Sequence, residues 1–522
     1  MPKKIEIRVS PETANNDHQL KDVLAQELGI ASSKINAFQI LKRSLDARAK
    51  NIVYQIQVNV FVEEPFKDEF AFEPKLQNVE LAERVVIAGA GPAGLFAALQ
   101  LIELGFRPLI LERGKDVRSR RRDLAVLNKE GKVNPESNYC YGEGGAGTYS
   151  DGKLYTRSNK RGSILKSLQL FHYFGATEKI LYEAHPHIGT NKLPHIISKM
   201  SAAIESCGGQ IMFNTKLTDI ITEDGKVKAV GVNGLGKIPT RALILATGHS
   251  ARDIFHLLHD KGILIESKPY ALGVRIEHPQ ELIDAIQYQC PLPEEKNPYL
   301  PPASYSLVSQ ESGRGVFSFC MCPGGIIAPA STDDGELVVN GWSPSKRDGL
   351  YANSGMVVSV SESDFAKHGF TGPLAGMQYQ QMVEQKSWEA GGGKLVAPAQ
   401  RVTDFVKQKL SSSLPENSYI PGLNSVRLNE VLPMEIYVPL SQGLISFGKK
   451  MKGYYTDEAI VVATESRTSS PVRIPRDKDS FQHPQITGLF PCAEGAGYAG
   501  GIISAAMDGE KVADAVGRFI KE

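Results

Sequence analysis

Three glycines, Gly89, Gly91 and Gly94, stand at G-x-G-x-x-G spacing in the run Val85-Val-Ile-Ala-Gly-Ala-Gly-Pro-Ala-Gly94. Each has a mechanical reason to be glycine. Gly89 permits a tight turn out of a strand, Gly91 lets a pyrophosphate approach the backbone, and Gly94 lets a helix pack closely on that strand. Pro92 and Ala93 lie between them, where the helix opens and its free N–H groups and dipole face the phosphates. Alone, such a run is no more than a glycine-rich βα turn. Here it follows the apolar run Arg84–Ala88, opens a helix and leads to a second strand, Pro108–Leu111. That strand ends in Glu112, 18 residues beyond Gly94, where a carboxylate can accept hydrogen bonds from both ribose hydroxyls. Arg113 follows it and is assigned to the same dinucleotide site, as are Lys216 and Leu217 at the end of a later strand-like run.

Two further segments decide which dinucleotide. Leu243-Ile-Leu-Ala-Thr-Gly248 is a strand running into a small-residue turn. Its Ala246, Thr247 and Gly248 resemble the Ala-Thr-Gly element of flavoproteins with two dinucleotide-binding domains, which passes near FAD. The run Gly488-Leu-Phe-Pro-Cys-Ala-Glu-Gly-Ala-Gly-Tyr-Ala-Gly-Gly501 resembles the late FAD motif of those proteins. The resemblance places Glu494 by the ribityl-pyrophosphate, with Gly495, Gly497, Gly500 and Gly501 around it. The helix starting at Ile502 would then point its positive end at the flavin pyrimidine and stabilise an anionic reduced ring. Gly231-Val-Asn-Gly-Leu-Gly236 has the wrong spacing for a second fingerprint and reads as a hairpin, which argues against a separate NAD(P)H domain.

Longer motifs carry a resemblance over nearly the whole chain. They are Tyr141-Gly-Glu-Gly-Gly-Ala-Gly-Thr-Tyr-Ser-Asp-Gly-Lys-Leu154, His185-Pro-His-Ile-Gly-Thr190, Ser318-Phe-Cys-Met-Cys-Pro-Gly-Gly325 and Glu465-Ser-Arg-Thr-Ser-Ser-Pro-Val-Arg473. With Ser44-Leu-Asp-Ala-Arg48 they resemble a bacterial family of uncharacterised FAD-dependent dehydrogenases, within the glutathione-reductase-like flavoprotein superfamily. The resemblance implies FAD, an oxidoreductase and an inserted substrate domain, but no particular substrate. Fold analogy does not supply the chemistry. It also favours cofactor contact for the glycine-dense loop Gly142–Gly147, with Gly144 and Gly145 as its centre, because such backbone can form an anion-binding nest. FAD is expected to be noncovalent, since no attachment motif is recognisable.

Flavin chemistry asks the protein for orientation, electrostatics and at most one proton acceptor. His187 is the histidine chosen for that role over His185 and His278, each of which could equally make a structural hydrogen bond. Arg275, Arg467 and Arg473 are the candidates to hold a substrate carboxylate bidentately; pairing with acids is the bland alternative. Cys320 and Cys322 could form a redox pair or bind a soft metal. In a regular strand, however, residues two apart make a strained disulfide, and no second pair with zinc spacing accompanies them. Structural thiols are therefore the preferred reading, and no metal site is assigned. Arg118-Ser-Arg-Arg-Arg122 reads as a solvated helix face, or one arginine reaching phosphate, rather than a nucleic-acid patch.

A chain of 522 residues exceeds one hydrophobic core, so two or three domains are expected. The fold class is α/β: a Rossmann-like FAD-binding domain with an inserted mixed α+β substrate domain and a small N-terminal β-α-β-β domain. The boundaries are 1–78 for the small domain, 82–270 and 471–522 for the discontinuous FAD domain, and 271–470 for the insertion. The segment 63–80 reads as a linker. A net charge of +1 gives no global field to recruit nucleic acid or an anionic membrane. Scattered cysteines, no signal-peptide core and no membrane-length apolar run point to the cytoplasm. The expected activity is hydride transfer between FAD and a small organic substrate, with a nicotinamide or a protein as electron partner. A flavin-bearing binding or sensory protein, or an RNA-modifying flavoenzyme, is the alternative.

Overall fold

The computed structural model describes residues 2–49, 51–155, 163–290 and 297–522. At its centre is a five-stranded, wholly parallel sheet. In spatial order its strands are Gln210–Met212, Arg107–Leu111, Arg84–Ala88, Leu243–Leu245 and Leu489–Pro491. In chain order that is 3-2-1-4-5, the order of a Rossmann-type half. Alternate side chains go to opposite faces and both faces are covered. Val85, Ile87, Ile110, Ile244 and Phe490 join one core; Val86, Ala88, Leu109, Leu111, Leu243, Leu245 and Leu489 join the other. That is why these strands read as unbroken apolar runs rather than alternating ones.

On the first face the helix Pro92–Glu103 crosses the C-terminal helix Ile502–Lys521. The crossing is close, because a Cβ on Gly509 would collide with the Ala93 carbonyl oxygen. Beside the other face lies an antiparallel meander, Leu217–Glu223, Lys226–Val232 and Gly236–Pro239. The Gly231–Gly236 run falls in its second hairpin, as its spacing suggests.

The chain leaves this body through the strand Tyr270–Pro279 and enters a large mixed sheet. In that sheet Tyr270–Pro279 lies between Tyr351–Val360 and Ile460–Glu465, both antiparallel to it. The long strand Arg314–Pro329 pairs with Tyr351–Val360 on the far side. Helices Ala375–Gly391 and Met434–Lys450 cover the sheet and bury Tyr379, Tyr437, Leu440 and Phe447 with Val274, Ile276 and Met356. The short antiparallel pair Glu266–Ser267 and Val472–Arg473 ties the outgoing chain to the returning one.

The N-terminal unit is a three-stranded antiparallel sheet, ordered Lys3–Val9, Val53–Val62, Ile35–Asp46, under the helix Asp17–Leu28. Asn16 caps that helix by accepting from the His18 and Gln19 amides, and left-handed Gly29 ends it. Arg43 docks the unit on the parallel-sheet body: its guanidinium pairs with Glu183 at 2.5 Å and its carbonyl accepts from the Ala184 amide at 2.9 Å. The segment 63–80 contains no helix or strand.

Candidate functional site

A cleft of about 400 Å³ opens at the carboxyl ends of the parallel strands, where strand order reverses between Arg84–Ala88 and Leu243–Leu245. This is where open α/β sheets bind ligands. Gly89 leaves the first strand at φ +105°, and a Cβ there would collide with the Ala246 carbonyl oxygen. Gly94 does not line the cleft; a Cβ there would collide with the Gly89 carbonyl oxygen, so it serves helix–strand packing. Gly91 is different. A Cβ there would meet only the Gly145 Cα at 4.0 Å, and it would face the cleft. Gly91 caps Pro92–Glu103 without any side-chain cap, so amides of the first turn point outward unsatisfied.

A second helix repeats the arrangement. Ile502–Lys521 begins after Gly501 with no side-chain cap, and Gly500, Gly501 and Ile502 line the same cleft. A Cβ on Gly248, Gly500 or Gly501 would meet nothing within 4 Å. Two positive helix ends and a glycine floor therefore face one elongated space, which suits a dianionic pyrophosphate with a group at each end.

At one end lies Glu112, 4% exposed. Its carboxylate accepts from the backbone amides of Ala90 (2.8 Å), Gly114 (2.8 Å) and Gly142 (2.9 Å). The expected ribose acceptor thus also staples three turns together, and it keeps one of about four acceptor positions for a hydroxyl. Arg113 lies over the Tyr141 ring at 4.1 Å and pairs with Glu136 and Asp253, each of which also meets Lys216. Leu217 and Thr215 complete that wall. At the late motif Glu494 meets His249 Nδ1 at 3.1 Å, and both line the cleft. Burial would raise the Glu494 carboxyl, but the hydrogen bond and charge of His249 hold it below the usual range. His249 directly follows the Ala-Thr-Gly element, a position that would have flagged it.

The loop Gly142–Gly147 supplies Gly145, Ala146 and Gly147 to the cleft. Gly144 lies behind them, where a Cβ would collide with Thr148 Oγ1. The loop owes its shape to Arg120. Rather than standing on a solvated helix face, Arg120 is fully buried and donates to the carbonyls of Asn138, Tyr139, Glu143 and Gly145 at 2.8–2.9 Å. Its neighbours Arg118, Arg121 and Arg122 are exposed. Sequence could not separate them, since register on the helix Val117–Glu130 decides which arginine turns inward.

The opposite wall comes from the large sheet and its return: Phe319, Cys320, Asn340, Arg467 and Thr468, with Lys153 beside them. Of the four expected catalytic residues, only Arg467 lines the cleft. Its guanidinium already donates to Glu384, Glu336 and Thr332, in a buried cluster with Arg252. Burial opposes the charge on Arg467, yet Glu384 keeps it firmly protonated. Arg275 lies one layer behind, fully buried, bonded to Glu465 at 3.0 Å and to the Cys320 carbonyl at 2.7 Å. Burial pushes Glu465 up to about 7. His187 is outside the cleft, with Nε2 3.1 Å from the Ser345 carbonyl oxygen; burial and Arg347 hold its pKa down. Arg473 is exposed and lies over Tyr498 at 5.4 Å. Gly495 and Gly497 also stand off the cleft, Gly495 packed on the Gly248 backbone. Lys153 was missed because a lone lysine in a glycine-rich run carries no spacing signal.

Comparison with known proteins fixes the cofactor. Residues 269–468 match the model of the FAD-dependent protein, C-terminal domain-like family, and residues 1–61 match a domain of unknown function (DUF8436). An uncharacterized protein of Clostridium beijerinckii is 41% identical over 515 residues, covering 95% of each chain. This chain belongs to one family with that protein, and its residues 269–468 carry the FAD-dependent C-terminal domain. Thiamine thiazole synthase of Aeropyrum pernix is 29% identical over 203 residues, which is 36% of this chain and 62% of that protein. Among solved structures, a flavin-dependent brominase, Bmp2, matches with a TM-score of 0.36 and 11% identity over 84% of this chain and 79% of its own. Glycine oxidase from Bacillus cereus matches with a TM-score of 0.30 and 13% identity over 84% and 95%. FAD is the cofactor of this family member, and the uncapped helix ends and glycine floor of the cleft fit it. No described helix is long and apolar enough to cross a membrane.

Proposed function

We propose that this chain is an FAD-dependent oxidoreductase acting on a small organic molecule. The observation that carries the reading is the continuity of one cleft, from the fingerprint turn at Gly91 to the large-sheet wall at Phe319, Cys320 and Asn340. The nucleotide end is polar and backbone-lined; the far end is walled by a second domain, where a substrate can be enclosed against the cofactor. Bound FAD supplies a ring that takes up or returns an electron pair with a proton.

The chain's own residues do the rest. The amides of the first turns after Gly91 and Gly501 hold the pyrophosphate, and Glu112 holds a ribose hydroxyl while fixing the turns around it. His249, held by Glu494, stands in the cleft wall as a group that can take or give a proton at Nε2. Arg467 keeps its charge at the wall but has most of its donors engaged, so it biases the potential there rather than clamping a carboxylate. The hydride partner is a small molecule, electrons come from a nicotinamide or a protein, and the protein works in the cytoplasm.

The test is a visible spectrum of the purified chain after reconstitution with FAD, recorded under argon before and after NADH or NADPH. A yellow protein with one FAD per chain is expected. Rapid bleaching assigns a nicotinamide donor; a stable colour assigns a different one. A chain that takes up no FAD refutes the proposal.

A further inference from the structure

The strand Arg314–Pro329 does not run straight past the cleft. Its pairing with Tyr351–Val360 slips between Phe319 and Cys322 and again between Cys322 and Gly325. Cys320 stands inside the first slip with φ +47°, a left-handed conformation that costs energy for a residue bearing a Cβ. In a regular strand, Cα atoms two residues apart are about 6.6 Å apart, at the far end of what a disulfide spans. The slip removes the regular strand on which the structural-thiol reading rested.

The two sulfurs now share one ammonium. Lys153 Nζ is 3.8 Å from Cys320 Sγ and 3.7 Å from Cys322 Sγ. Arg275 reaches Cys322 Sγ at 3.6 Å from below. The pair is also asymmetric. Cys320 is exposed and lines the cofactor cleft, whereas Cys322 is buried. The neighbouring Cys322 thiol, with the charges of Lys153 and Arg275, holds the Cys320 thiol well below its usual range, and the Cys322 Sγ donates to the Cys320 carbonyl oxygen at 3.2 Å. The adjacent Cys320 side chain, with burial, pushes Cys322 up. An accessible thiolate beside a protonated, buried thiol is the arrangement of an attacking and a resolving cysteine.

We infer that Cys320 and Cys322 form a redox-active dithiol–disulfide pair that exchanges an electron pair with FAD in this cleft. The inference rests on the cleft being the FAD site. In the reduced pair, the Cys320 thiolate sulfur and the Cys322 sulfur join in a new S–S bond as the Cys322 S–H bond breaks. The two electrons and that proton pass to FAD, so no other reactant is required; the reverse step returns them. Lys153 keeps its proton throughout and neutralises the thiolate whenever the pair is reduced.

The test is an anaerobic dithionite titration of the FAD-reconstituted full chain after treatment with diamide, with peptide mapping before and after. The wild type should take up two two-electron equivalents per bound FAD, and Cys320→Ser and Cys322→Ser one each. A Cys320–Cys322 crosslink should be present before titration and absent afterwards. One equivalent in an FAD-loaded wild type, or no crosslink, overturns the pair and leaves the cofactor reading standing. A chain that takes up no FAD overturns the cofactor reading and the exchange with it.

Discussion

Replacing Gly91 by alanine separates cofactor binding from folding. Gly91 has φ −72° and ψ −177°, which any residue adopts, and a Cβ there would approach only the Gly145 Cα at 4.0 Å. The folded apoprotein therefore has room for the methyl group. Alanine loses up to about 1 kcal/mol as a helix cap, while its smaller unfolded-state entropy returns about 0.4–1 kcal/mol. The net change in apoprotein stability should stay within about 1 kcal/mol. The cofactor has no such room, because the methyl group occupies the approach to the first-turn amides. Losing one or two charge-assisted hydrogen bonds at about 1.5–3 kcal/mol each weakens FAD by about 10- to about 20,000-fold. Flavin fluorescence quenching on the apoprotein measures that affinity, and urea unfolding of the same sample measures stability. Unchanged FAD affinity in Gly91→Ala would refute the placement of the pyrophosphate. Gly94→Ala is the control: its methyl group collides with the Gly89 carbonyl oxygen, so it should lose stability before it loses anything else.

Arg467→Met strips a buried partner from Glu384, which Arg252 alone then neutralises; a loss of about 3–5 kcal/mol is expected in urea unfolding, and Glu384→Gln in the same chain should recover part of it. Burial alone would raise Glu384, but Arg252 and Arg467 hold it at about 2, below its unfolded value, so this stabilisation is complete above pH 5 and fades as pH falls from about 4.5 towards 2. A wild-type melting profile that is flat across that window would contradict the pairing. Glu510 has the opposite sign: burial raises it to about 7, with one carboxylate oxygen lacking a partner, so its cost to the fold grows as pH rises from about 4.5 to 7 and levels off above that. Glu510→Gln should accordingly add up to about 3 kcal/mol at pH 8 and little at pH 4, read from paired thermal melts. Lys153→Met removes the ammonium beside Cys320, and iodoacetamide labelling of that cysteine at pH 7 should slow about tenfold or more; equal rates would show that Lys153 does not hold the thiolate.

Local spacing determined the nucleotide half of this protein. Gly89, Gly91, Glu112, the Ala246–Gly248 turn and Gly500–Ile502 all face one cleft, because each is tied to the end of a strand or the start of a helix whose pattern is visible in the chain. The buried parallel strands and the hairpin at Gly231–Gly236 were legible for the same reason: their signals are contained within a few residues. What the second domain contributes was not legible. Arg275 and Arg467 read alike as candidates to hold a substrate carboxylate, yet only one reaches the cleft wall and both are committed to buried carboxylates. His187 and Arg473 lie in motifs that carry the resemblance and still point elsewhere. Arg120 reads as one of a basic run and proves to be the buried clamp of a glycine loop. Lys153 and Cys320, 167 residues apart, meet only because a slip in one strand turns a cysteine towards a loop from the other domain. A residue's local pattern fixes the element it occupies; which charges face one another across the cleft depends on how distant elements dock, and that information exists only in the folded chain.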